Sequence, residues 1–132
     1  MRIYLAARLG RWPEMNVRAH ELARVGHEIT SRWHATGFKP PHPPDRSQRS
    51  GDLAAVAQQD LDDIARAEAV VLFTEYGRHF AGGRHVEAGF ALALGKRLYV
   101  AGPRENVFYH LPQVVQTTSW PMLIRLLEQP HE

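Results

Sequence analysis

The sequence predicts an α/β fold built on a parallel sheet, and three observations carry that expectation. Short apolar runs alternate with longer amphipathic segments along the chain. One run, Ala69-Val70-Val71-Leu72-Phe73, is continuously apolar, as expected of a strand covered on both faces. The breaks fall at Gly26, Gly82-Gly83, Gly95 and Gly102-Pro103, where backbone freedom or a missing amide ends a regular element.

Residues 2–7 read as a first strand, apolar and ending in small residues. Pro13 to Val25 reads as a helix: Pro13 suits the first turn, Glu14 complements the positive end of the dipole, and Gly26 is a stop. His27 to Trp33 reads as a second strand with β-branched Ile29 and Thr30. From His34 to Ser50 the prolines at 40, 41, 43 and 44 dissolve the pattern, and a loop this long is usually functional or disordered. A helix from about Asp52 to Ala67 leads into the apolar run at 69–73. The loop Glu75 to Gly83 precedes a helix from about Arg84 to Leu94, stopped by Gly95. Leu98 to Ala101 is a fourth strand, Asn106 to Leu111 a short helical turn, Gln113 to Gln116 a last strand and Trp120 to Leu127 a closing helix. Strands linked through helices imply right-handed crossovers and a five-stranded flavodoxin/Rossmann-like sheet of order 2-1-3-4-5, with helices on both faces. No repeat or composition break divides the chain, so residues 1–132 read as a single domain.

Composition narrows the function classes. The 132 residues include no cysteine, which excludes disulfides, thiolate zinc sites and a cysteine nucleophile. The opening apolar run is too short for a signal peptide, and no run approaches the ~20 residues of a membrane helix. The expectation is a cytoplasmic protein with no membrane partner. The net charge is +2, and of the 16 basic residues all but Lys39 and Lys96 are arginine. Arginine favours bidentate contacts to phosphate or carboxylate, although a GC-rich genome produces the same bias. The arginines are scattered, so no stripe for nucleic acid is expected. His42 and His79 sit in loops and His85 in the glycine turn. None has the paired spacing of a zinc helix, so neither metal nor cofactor is expected.

In the order 2-1-3-4-5 ligands bind at the carboxyl ends of strands 1 and 3. The loops there bring Arg8, Gly10, Arg11, Gly82, Gly83, Arg84 and His85 around one crevice. Amide groups at a helix start and arginine side chains both suit a phosphate; surface decoration is the alternative. Trp33, at the end of strand 2, either stacks on a base or packs in the core.

Two carboxylates stand where apolar residues are expected. On the helix before the third strand, Leu53, Val56, Ala57, Leu61 and Ile64 form one stripe, with Asp60 near its middle, Asp63 at its edge and Asp62 opposite. Glu87 lies in the first turn of the apolar helix Val86 to Leu94. Two inward carboxylates in one crevice are either a structural ion-pair arrangement or the nucleophile and acid of glycosidic-bond chemistry.

The segment Gln59-Asp60-Leu61-x-x-Ile64-x-x-Ala67-x-Ala69-Val70-Val71, followed by Gly82-Gly83-x-x-Val86-Glu87-Ala88-Gly89-Phe90-Ala91-x-Ala93-x-Gly95-Lys96, resembles the nucleoside 2-deoxyribosyltransferase family, which includes nucleoside 5'-monophosphate N-glycosidases. Ile3-Tyr4-Leu5-Ala6 resembles its first strand, and the likeness spans residues 2–103. The resemblance implies that Glu87 attacks the anomeric carbon of the sugar, that Asp60 positions the sugar and supports proton transfer to the leaving base, and that Tyr4 holds the glutamate. It implies a homo-oligomer in which Asn106 reaches the neighbouring site. The departure is at the rim, where many monophosphate-specific members carry serines and this chain carries Arg8, Arg11 and Gly82 to His85. Cleavage or transfer at the N-glycosidic bond of a nucleoside or its 5'-monophosphate is the leading expectation. The rivals are a non-catalytic nucleotide-sensing module and a phosphoribohydrolase of the cytokinin-activating type. The Pro-Gly-Gly-x-Gly-Thr turn of the latter is absent from Ala81-Gly82-Gly83-Arg84-His85.

Overall fold

The computed structural model describes residues 1–35, 50–77 and 82–129. Most of the proline-rich stretch between His34 and Ser50, and with it His42, lies outside the described residues, as does His79. Five parallel strands, β1 (Arg2–Ala6), β2 (Glu28–Ile29), β3 (Ala69–Phe73), β4 (Arg97–Ala101) and β5 (Val114–Thr117), form one sheet in the order β2-β1-β3-β4-β5. Four α-helices connect or close it: α1 (Trp12–Arg24), α2 (Ser50–Arg66), α3 (Gly83–Ala93) and α4 (Trp120–Glu128). Both the class and the strand order are those expected.

Register sets which side chains share a face. Tyr4 pairs with Val70, Val70 with Leu98 and Leu98 with Val114, so these four point one way. The Tyr4 hydroxyl reaches α3, which identifies that face as the one covered by α3 and its neighbour α2. The alternate row, Val71 and Phe73 among them, faces α1 and α4: Phe73 lies against Trp120 at 6.1 Å, and Arg18 of α1 stacks over the same indole at 4.4 Å. The core is thickest at β1 and β3, where Ile3 to Ala6 and Ala69 to Leu72 have no exposed surface. Burying each large aliphatic side chain there contributes about 1.5–3 kcal/mol.

The second strand is shorter than the expected 27–33, and the reason is local. After Thr30 donates its amide to Ile3, side chains replace the ladder: Ser31 Oγ accepts from the Leu5 amide at 3.2 Å, and Trp33 Nε1 donates to the Leu5 carbonyl at 2.7 Å. The edge of β1 is therefore satisfied without further strand.

The stripe expected on α2 is buried only toward its C-terminal end. Ile64 is fully buried, Val56 and Leu61 partly, while Leu53 and Ala57 are exposed. At the carboxyl ends of β3 and β4 the backbones nearly touch: a Cβ on Gly102, whose φ is 131°, would lie 2.5 Å from Thr74 Oγ1 and 2.6 Å from its carbonyl oxygen. Only glycine fits there. Among the described residues no helix is long and apolar enough to cross a membrane.

Candidate active site

The tightest link between predicted site residues is between β1 and α3. Tyr4 is wholly buried and its hydroxyl donates to Oε2 of Glu87. Gly82 precedes α3 in the left-handed region, with φ 53°, which lets the helix start abruptly with no side-chain cap. The inward residues of α3 are then Arg84, Ala88 and Ala91, with Glu87 partly buried beside them. Burial in these apolar surroundings pushes the Glu87 carboxyl up to about 8.

On α2 the sequence singled out Asp60, and the structure divides the role. Asp63 is the fully buried acid. Arg32 holds it bidentately, Nε to Oδ1 and Oδ2 at 3.0 and 3.1 Å and Nη2 to Oδ1 at 2.8 Å, and Arg66 adds a contact at 2.7 Å. Asp60 is half-buried; its Oδ1 is shielded from solvent and has no partner among the described residues. Burial, reinforced by the charge of Asp63 and opposed by Arg32, pushes Asp60 up to about 6. Asp62 is exposed and accepts from Gln58.

The rim arginines are already engaged. Arg8 pairs with Glu75 at 3.2 Å. Arg11 grips Glu14 through Nε and Nη2 at 3.0 and 2.7 Å and reaches the Thr74 carbonyl at 3.5 Å. Arg84 pairs with Glu105 at 3.0 Å, and His85 Nδ1 meets the Tyr109 hydroxyl at 2.5 Å. A phosphate at this rim would therefore compete with carboxylates for Arg8, Arg11 and Arg84. Gly10 lies in the short 3-10 turn Leu9–Arg11 against the Arg8 side chain, and Gly83 opens α3.

Trp33 is corrected from rim to core. It is 8% exposed with its indole N–H spent on Leu5, so little of the ring is left for a base. Asn106 caps the 3-10 turn Val107–His110, its Oδ1 accepting from the Phe108 amide at 3.0 Å. It also borders a groove of about 630 Å³ between the outer side of α3 and the segment after β4, lined by Val86, Gly89, Leu92, Asn106, Phe108 and Leu111 among others. Glu87 is not among the lining residues. Val86 and Phe108 are 68% and 62% exposed.

Two arrangements escaped sequence reasoning. The Asp63 clamp had a partial signal in Arg66, three residues on, but none in Arg32. The other is a buried relay in which Asn16 Oδ1 accepts from His34 Nδ1 and His34 Nε2 accepts from the Ser31 hydroxyl, both at 2.8 Å. It ties the turn after β2 to α1. Among the described residues no cluster of three or more His, Asp or Glu side chains could hold a metal ion.

Comparison with solved structures finds the same fold. The fold is similar to that of the CMP N-glycosidase BcmB of Clostridium botulinum, with a TM-score of 0.58 and 17% identity, covering 98% of this chain and 100% of that one. It is similar also to a 2-deoxyribosyltransferase of Bacillus psychrosaccharolyticus, with a TM-score of 0.62 and 18% identity over 94% of this chain and 90% of that one. The chain has the 2-deoxyribosyltransferase fold. At these identities the likeness extends to the fold and no further; no protein-family model and no curated protein matches the sequence. Here the Tyr4–Glu87 contact joins the middle of β1 to the second turn of α3.

Proposed function

We propose that the protein cleaves the N-glycosidic bond of a nucleoside or nucleoside 5'-monophosphate, by hydrolysis or by transfer to a second base, through Glu87 as nucleophile. One observation carries the reading: a glutamate held by a buried tyrosine on the inward side of α3, in a chain whose fold is that of a CMP N-glycosidase and a 2-deoxyribosyltransferase. The Glu87 carboxylate attacks the anomeric carbon as the bond to the base breaks. Asp60, on the neighbouring helix α2, delivers the proton that the departing base needs. Water or an acceptor base then attacks the glycosyl-enzyme and Glu87 is released. Tyr4 orients the nucleophile. Arg8 and Arg11 receive a 5'-phosphate by exchanging their carboxylate partners for it, beside the backbone amides of the turn from Gly82 to His85. Neither metal nor cofactor is required.

The nucleophile must be ionised and the acid protonated. With Glu87 near 8 and Asp60 near 6, kcat/KM follows a bell with limbs in that window. A profile flat from pH 5 to 9 removes these two residues from the chemistry. The primary test is incubation with nucleosides and their monophosphates, with chromatography for free base. Tight binding without base release would return the chain to the sensing class.

The groove beside α3 is covered by a second copy of the chain, which brings Asn106 and Phe108 to the neighbouring site. Val86 and Phe108, which line the groove, and Val107 beside Phe108 are all exposed, as an apolar surface for self-association requires. Light scattering at micromolar concentration is expected to give at least twice the 15.0 kDa of one chain. A monomer mass removes the shared site.

A further inference from the structure

Arg84 and Glu87 carry opposite charges three residues apart on the same side of α3. At that spacing Cβ atoms are ~5–6 Å apart, and the side chain at the later position leans back over the earlier turn. The two charges are thus within reach of an ion pair. Here they do not form one: Arg84 Nη2 contacts both oxygens of Glu105, at 3.0 and 3.3 Å, while Glu87 takes the Tyr4 hydroxyl. The Arg84 side chain is 3% exposed and that of Glu105 15%, so solvent screens their charges little. Arg84 Nε is buried without a partner among the described residues, so Glu105 does not exhaust the guanidinium.

We propose that Glu105 is a positioning residue for Glu87: by holding the Arg84 guanidinium it keeps that charge off the glutamate one turn along α3. The proposal rests on the reading of Glu87 as nucleophile. A carboxylate gripped by arginine has its lone pairs occupied and is a weaker nucleophile; one facing only a phenol keeps an oxygen for the anomeric carbon. His85, next along the helix, already registers the field of this pair. Burial and then the Arg84 charge push it down, and Glu105 pulls it up. Among the described residues the other ionisable groups on elements packed against α3 are few: Tyr109 stacks on His85, and Arg2, at the start of β1, pairs with Glu68. Tyr4 comes from β1, and Asp60 and Asp63 lie on α2, the latter held by Arg32 and Arg66. No residue of β3 is ionisable; on β4, Tyr99 belongs to the row facing α1 and α4, and Arg97 begins the strand at its far end.

The test is an NMR titration of the Glu87 side-chain carboxyl in the full chain, as wild type, Glu105→Gln, and the double variant Arg84→Met/Glu105→Gln. Glu105→Gln is expected to lower the Glu87 midpoint by about one pH unit or more, the effect of an opposite charge within ~4–6 Å. Glu87 holds the higher of the two values, so the alkaline limb of kcat/KM moves down with it. The double variant lacks the same tether but also the charge, and titrates as wild type. If both variants move together, or neither moves, the tether is merely structural and the proposal is overturned. Arg84→Met alone has no cation to release and keeps the midpoint at or above the wild-type value; a fall there also overturns it. The titration needs no turnover, so it separates this inference from the reading beneath it. A Glu87→Gln variant that still releases base removes the nucleophile assignment. An inactive Glu87→Gln with an unmoved Glu105→Gln titration removes the positioning role alone.

Discussion

Asp63, fully buried, and Glu87, partly buried, are acids on adjacent helices packed on one face of the sheet, and they are treated oppositely. Asp63 has two arginines and four contacts of 3.1 Å or less. Among the described residues Glu87 has one phenol, and burial pushes its carboxyl up to about 8. A buried charge with its partners supplied holds a structure together; one left without a counter-charge costs stability and is available for chemistry. The difference supports the proposal that Glu87 serves the reaction while Asp63 serves the fold.

The sharpest way to break this comparison is Glu87→Gln. Base release is expected to fall at least ~100-fold, the lower range for removing a group that acts in the transition state. Retention of a tenth of the rate would end the assignment. The same substitution is expected to stabilise the protein on the alkaline side. The unfolded carboxyl ionises near 4.5 and the folded one near 8, so stability is lost as pH rises between them. Glutamine does not ionise, so its advantage grows across that window, by at most about 1.4 kcal/mol per pH unit. Denaturant midpoints at pH 4 and pH 8 measure it.

Asp63→Asn is expected to do the reverse: to lower stability by about 2–3 kcal/mol, within the range for breaking buried charged hydrogen bonds. The intrinsic rate of the folded fraction is expected to hold. A stable Asp63→Asn variant with collapsed turnover would interchange the two acids' roles.

His34 sharpens the comparison with a third buried ionisable group, one satisfied in its neutral form. It is 2% exposed, donates to Asn16 and accepts from Ser31, and burial pushes it down to about 4. Above pH 6.5 it is neutral whether folded or unfolded and contributes no pH dependence. Below 6.5 the unfolded chain takes up a proton that the folded chain refuses, so stability falls until about pH 4. His34→Gln is expected to flatten this acid-side decline in a comparison of denaturant midpoints at pH 7 and pH 5. An unchanged slope would show that the relay opens to solvent.

The order of elements was legible because it depends on neighbours in the chain. The apolar run 69–73 requires cover on both faces, and Gly95 ends α3 with φ 71°. Glu87 stood out for the same reason, as the one acid in an otherwise apolar helix. Tyr4, and the choice of Glu87 over other isolated acids, came from the family likeness rather than from periodicity. What only the tertiary structure decided is which side chain meets which. Periodicity placed Asp60 at the centre of the α2 stripe and Asp63 at its edge. The arrival of Arg32, 31 residues away along the chain, made Asp63 the satisfied acid. Trp33 turned inward because the Leu5 carbonyl needed a donor where β2 had ended, and Arg84 turned to Glu105 across 21 residues instead of to its helical neighbour. A helical or strand period says which residues share a face. The partner across that face comes from another element, and only the packed chain brings the two within hydrogen-bond reach.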